Sequence, residues 1–335
     1  MYKHILKKSW GITKSNKIFL LFGFFVAMLG NGGAFEVLLK SYDDITNSGQ
    51  RIRALINSVW QFHLAQVTFW TNIKTLATQN TTTFIASVLL LLVILLIVLG
   101  LIWIVITSQV VIIKNTPLAE KGKKFSFLTL FHSAKGTFWP VFFINTLAKI
   151  STAAVLFMTG LFLISPFPEK QKVILSFFVF LLFFIFNILI SITFYFLSLY
   201  ANCYVVLKND SLRDSIARGF HLFKKNWVTS IEMAFLLFII NVAASVGAFI
   251  AVIFIALPLF LFFVIGLAAG ITWLANIMGI LIFLLFLVSF MLLGATLATF
   301  QTVSWVLLFN KLDSGERIER IFRFFRRKNT KSVSQ

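Results

Sequence analysis

The chain has 335 residues, 59% of them hydrophobic and 12% charged, with a net charge of +19. A soluble domain carries charge on about a quarter of its residues, and several apolar runs here reach the ~20 residues that cross a bilayer. These figures describe a polytopic α-helical membrane protein and exclude a barrel of short alternating strands.

A charge this positive could match nucleic acid, but its distribution points elsewhere. Of 30 Lys and Arg, 23 fall in residues 1–17, 114–138, 208–226 and 310–335, each beside an apolar run. That is the positive-inside pattern of cytoplasmic loops facing anionic lipid, and no nucleic-acid partner is expected. The single cysteine, Cys203, excludes an intrachain disulfide.

Residues 1–17 form a basic amphipathic segment ahead of the first span, placed at 18–39. A cleaved signal peptide is the competing reading. The basic segment is long for that role, and it resembles a stretch deep inside the chain, so a retained helix is expected. Residues 40–83 form an outer segment. Within it Leu55, Val59, Phe62, Gln66, Phe69, Ile73 and Leu76 recur at steps of four and three, one face of a helix. Trp60 and Trp70 add bulk suited to a membrane interface.

The second span is placed at 84–113, the third at 139–164 and the fourth at 173–207, with the prolines Pro166 and Pro168 stopping the helix between the last two. From Val228 to Phe309 there is one charge, Glu232. Basic segments on both sides require an even number of crossings. Four spans of ~20 residues would leave nothing for turns. Two spans are therefore assigned, 228–257 and 276–309, with 258–275 as an outer interfacial helix or re-entrant segment between them. In the tail, 311–335, Ile318, Ile321, Phe322 and Phe325 share a helical face among Arg317, Arg320, Arg323, Arg326 and Arg327. Such a helix lies on an anionic leaflet, and these arginines are the expected anionic-lipid contacts.

Three stretches that precede spans read alike: Ile5–Lys17, Leu128–Trp139 and Ser215–Trp227. Trp10 stands six residues before Asn16, and Phe220 six before Asn226. The expected fold is thus all-α: six transmembrane helices in three hairpins, each preceded by a cytoplasmic interfacial helix, in one integral domain. Both termini are cytoplasmic, and Trp10, Trp139 and Trp227 serve as interfacial anchors.

The opening ILKKSW, NKIFLLFGFF and GNGG, together with SIARGFHLFKKNW ahead of an apolar run, resemble bacterial multi-pass proteins related to the membrane domain of glycerophosphoryl diester phosphodiesterases. The resemblance implies architecture and an inner-membrane location. It does not bring the hydrolase activity, because the 335 residues hold no polar stretch that could supply that enzyme's soluble domain.

Lys149 lies about ten residues into the third span, where an ionisable group marks a functional hypothesis. Glu232 is the acid inside a span, and Asn145 stands one turn before Lys149. The three form a candidate intramembrane polar pair with a helper, either a structural ion pair or a coupling site. Catalytic, cofactor and metal motifs are missing: there is no HExxH, GxSxG or P-loop. The expected role is a non-catalytic scaffold or a lipid- or partner-binding component, with a membrane-protein partner or a second copy as company. The alternatives are a transporter or permease subunit with a polar site near Lys149, and an intramembrane lipid enzyme.

Overall fold

The computed structural model describes residues 2–28, 81–123, 126–134, 136–164 and 172–315. The described residues are almost all helical and include no strand. In chain order the helices are α1 (Tyr2–Ser15), α2 (Lys17–Met28), α3 (Thr81–Glu120), α4 (Phe127–Ser133), α5 (Phe138–Ile164), α6 (Lys172–Cys203), α7 (Leu212–Ala268) and α8 (Thr272–Asp313). A π-helical turn, Tyr204–Lys208, extends α6 and ends at Asn209 in the left-handed region, φ 55°. Four helical stretches are long and apolar enough to cross a membrane: Phe84–Glu120, Ile188–Lys208, Leu212–Ala268 and Thr272–Asp313. Helices are the local solution because a backbone in lipid must satisfy its own hydrogen bonds.

The chain divides into two compact units. The first comprises residues 1–34, 105–144 and 196–335, and the second 35–104 and 145–195. In the first unit α2 and α8 approach closely at Gly23. A Cβ there would collide with Thr299 Oγ1 and the Ala295 carbonyl. Thr299 Oγ1 lies 3.0 Å from the Phe19 carbonyl and 2.8 Å from that of Ala295, so its polar group is satisfied inside the contact. Around this seam Phe19, Phe22, Val26, Phe300, Val303 and Leu307 are buried. In the second unit the described segments are 81–104 of α3, 145–164 of α5 and 172–195 of α6. Its α3 segment carries exposed leucines, isoleucines and valines from Ile85 to Leu99.

Residues 258–275 differ from the expected outer interfacial or re-entrant segment. Helix α7 continues through Pro258 to Ala268, and α8 begins at Thr272. The connection is a tight C-cap: Ile271 N–H donates to the Gly266 carbonyl at 2.8 Å, with Gly270 at φ +69°. That is a glycine-dependent helix stop. Gly266 also lets the helices meet, since a Cβ there would sit 2.9 Å from Ala275 N. The surplus length is absorbed by longer helices. At 57 and 42 residues, α7 and α8 are about 85 and 63 Å long at 1.5 Å per residue.

The three stretches that read alike contain helix, and each includes a break. Helix α1 buries Tyr2, Ile5, Ser9 and Ile12, a stripe of helical period. The hydroxyls on that side turn inward: Ser9 Oγ donates to the Ile5 carbonyl and Thr13 Oγ1 to that of Ser9, both at 2.9 Å. Asn16 is not helical, and Phe19 N–H donates to its carbonyl to start α2. In α7 the break is Asn226, at φ −125° and ψ 27° within an otherwise continuous helix. Between α4 and α5 the chain turns through Gly136 at φ +91°. The expected outer segment 40–83 lies outside the described residues up to position 80, and the tail outside them from 316 onward.

Candidate functional site: polar clusters at the base of the first unit

Two polar clusters occupy the end of the first unit where α1, α6, α7 and α8 come together. The first surrounds Glu232. Tyr2, in the first turn of α1, donates its phenol to Glu232 Oε2 at 2.7 Å. Both residues are buried. Thr229, one turn before Glu232 on α7, lies beside the Tyr2 phenol. Beside them the Tyr200 hydroxyl of α6 meets Ser230 Oγ at 2.7 Å, and Ser230 Oγ lies 3.0 Å from the Asn226 carbonyl. Burial pushes the Tyr2 phenol's pKa well above its ordinary value, and its bond to Glu232 pushes it further. The phenol therefore stays a donor to the carboxyl.

The second cluster lies at the exits of α6 and α8. Asp313 accepts from the Tyr204 phenol at 2.8 Å and pairs with Lys208 Nζ at 2.9 Å. Arg218 of α7 reaches Asp313 at 3.9 Å and Asp210 at 2.6 Å, and its guanidinium lies over the Tyr204 ring, 4.4 Å from the centroid. Three helix ends are thereby tied by one planar cation and two acids. A third tie, Lys8 with Glu120, joins α1 to the end of α3.

The expected site residues are distributed as follows. Glu232 belongs to the first unit, while Asn145 and Lys149 belong to the second. On α5 Lys149 is exposed and Asn145 half-buried. Trp10 is 52% exposed and meets Phe300 edge-on at 6.2 Å. Trp139 is exposed at the start of α5, beside Phe138, Phe142 and Phe143. Trp227 is exposed one residue after the Asn226 break. Arg317, Arg320, Arg323, Arg326 and Arg327 lie outside the described residues.

Sequence reasoning missed Tyr2 and the Asp313 cluster. The signal for Tyr2 was present: it stands three residues before Ile5 and seven before Ser9, on the stripe that is buried. A hydroxyl on a buried stripe needs a partner. The Asp313 cluster joins residues more than a hundred positions apart, with no motif to link them. Chemically, the Glu232 cluster gathers a carboxyl, two phenols and two hydroxyls, bonded as the pairs Tyr2–Glu232 and Tyr200–Ser230, and the Asp313 cluster fixes helix ends by charge. Among the described residues no three His, Cys, Asp or Glu side chains gather as metal ligands. Compared with family models, curated proteins and solved structures, the chain matches none.

Proposed function

We propose that the protein is a polytopic inner-membrane component with six spans in three hairpins and both termini cytoplasmic. In this reading it is a non-catalytic scaffold that holds lipid, a membrane-protein partner or a second copy. The observation that carries the scaffold reading is the fate of Glu232. Its carboxyl receives the phenol of Tyr2 from the chain's own first turn, so an acid placed in an apolar helix serves to tie an interfacial helix to the bundle. The four apolar helices support membrane insertion. The 27-residue α5, about 40 Å long at 1.5 Å per residue, supports one span more, and the apolar opening of α2 another. The basic segments support cytoplasmic ends. In this reading the likeness to membrane domains of glycerophosphoryl diester phosphodiesterases extends to architecture alone.

Two measurements test this. Alkaline phosphatase fused after residues 123, 209 and 315 should be inactive, and after residues 168 and 270 active. For the role, the purified chain in proteoliposomes should carry no ion or solute flux, while Glu232→Gln lowers its thermal midpoint. The second reading, a transporter with a polar site near Lys149, is favoured by that residue's exposure part-way along α5. Substrate-driven flux that Lys149→Met abolishes would establish it in place of the scaffold.

A further inference from the structure

We infer that α1 and the first turns of α7 carry two equivalent docking strips for the headgroups of anionic phospholipids. This rests on the membrane reading above. The strips are recognised by register. In α1, Ile5, Ser9 and Ile12 stand eleven, seven and four residues before Asn16 and are buried. In α7, Ser215, Gly219 and Leu222 stand at the same three distances before Asn226 and are buried as well. Both asparagines break the helix and send Nδ2 back to the carbonyl four residues earlier, Asn16 to Ile12 at 3.0 Å and Asn226 to Leu222 at 3.2 Å. The two segments therefore present corresponding faces to their own bundle and corresponding faces outward.

The outward faces match in chemistry. At about 100° per residue, Lys3, Trp10 and Lys14 fall within about 40° of one another and off the buried stripe, with one edge of Trp10 against Phe300. Arg213, Phe220 and Lys224 occupy the same positions relative to Asn226. All six side chains are exposed. Among the described residues none of these four cations has a carboxylate partner, in contrast to Lys8, Lys208 and Arg218, which are tied to Glu120, Asp313 and Asp210. Each strip is thus cation, aromatic, cation, with the aromatic and the second cation one turn apart. An isolated exposed aromatic is unremarkable on a soluble surface, but between two uncommitted cations beside the start of an apolar helix it suits the headgroup layer. The ring enters at the level of the ester groups while the cations meet phosphates. The buried stripe of each segment is already used against the protein, so the strips do not insert as amphipathic helices do. They recognise charge at the surface, and the ligand class is the anionic phospholipid.

The test is retention of phosphatidylglycerol against phosphatidylcholine by the full chain purified in mild detergent, read by native mass spectrometry across a lipid titration. A cation near an anionic surface is worth about 1 kcal/mol, so Lys14→Ala or Lys224→Ala should each weaken one of two bound phosphatidylglycerols about fivefold and leave the other as in wild type. The double variant should weaken both strips about fivefold, Lys14→Arg with Lys224→Arg should keep wild-type retention, and Lys225→Ala, off the strip, should leave it unchanged. The inference is overturned if the double variant, folded by circular dichroism, keeps wild-type retention, or if phosphatidylcholine is held as well as phosphatidylglycerol. Extraction of the wild-type chain from membranes by alkaline carbonate would instead sink the membrane reading itself.

Discussion

The Tyr2 phenol donates to Glu232 Oε2 across 230 positions of sequence, joining the first turn of the chain to the only acidic residue between Val228 and Phe309. Helix α1 is held by this bond at one end and by Asn16 at the other. Removing the phenol hydroxyl leaves the buried carboxyl without that donor, at a cost of about 1–3 kcal/mol. Tyr2→Phe should therefore lower the thermal midpoint of the purified chain clearly. In a double-mutant cycle with Glu232→Gln the two losses should be less than additive. Strict additivity would mean that the bond contributes nothing to stability.

The same pair predicts a pH dependence. Burial first, and the bond to Glu232 second, hold the Tyr2 phenol above the ordinary pKa of about 10. The folded chain therefore binds this proton more tightly than the unfolded chain. By linkage the associated stability is complete below pH ~10 and is lost as pH rises from there through the folded value. The wild-type midpoint should fall above pH ~10 more steeply than that of Tyr2→Phe. Parallel slopes for the two chains would remove Tyr2 as the cause.

Two glycines separate close packing from open surface. At Gly23 an added Cβ meets Thr299 Oγ1 and the Ala295 carbonyl, the latter a backbone atom that cannot move without shifting α8. Gly23→Ala should destabilise the chain by about 1–3 kcal/mol through overpacking. At Gly247 nothing lies within 4 Å of an added Cβ. Gly247→Ala should be neutral or stabilise by up to about 1 kcal/mol, the helix-propensity difference. Midpoints measured side by side check both, and equal effects at the two sites would contradict the α2–α8 contact.

Much of this architecture was legible in the sequence because period and charge carry it. The stripe Ile5, Ser9, Ile12 and its copy Ser215, Gly219, Leu222 could be read from spacing alone, and the breaks fall at the asparagines that the repeat marks. The hairpin of α7 and α8 was read less well. Hydropathy gives no end signal in some eighty residues with a single charge, and Pro258 reads as a boundary. In an apolar setting a proline is tolerated within a helix when neighbouring groups satisfy the freed backbone, and the true stop is the left-handed Gly270. The partner of Glu232 was out of reach of spacing arguments. Spacing puts Tyr2 on the buried stripe and so asks for a partner to its hydroxyl, but helix proximity across 230 residues is decided by packing.

Arg218 predicts a difference between two cations. Its guanidinium bonds Asp210, approaches Asp313 and covers the Tyr204 ring at once, which an ammonium cannot do. Arg218→Lys should keep the charge and still loosen the meeting point of α6, α7 and α8. Arg218 and Lys208 are about half exposed, so the loss should be near 1 kcal/mol and should shrink in high salt. Amide exchange in the peptide covering residues 305–313 should rise in Arg218→Lys. If it matches wild type, the lysine has replaced every function of the arginine.

Asn226 sets the angle at which the amphipathic start of α7 leaves its apolar continuation. Its backbone departs from helical geometry while its side chain serves the Leu222 carbonyl and its own carbonyl accepts from Ser230. A side chain entering the helix ladder is an accepted cause of a kink. The angle matters because Gly219 approaches Ala201, where an added Cβ would stand 3.0 Å from the backbone nitrogen. Leucine at 226 favours a regular helix and offers no donor to Leu222. Asn226→Leu should straighten the helix and lift Ser215 and Gly219 from α6. Amide exchange in residues 212–222 should then rise, while residues 240–256 of the same helix exchange as before. Asn16→Leu should act in the same way on residues 2–12. Unchanged exchange in both segments would show that the asparagines mark the repeat without setting its geometry.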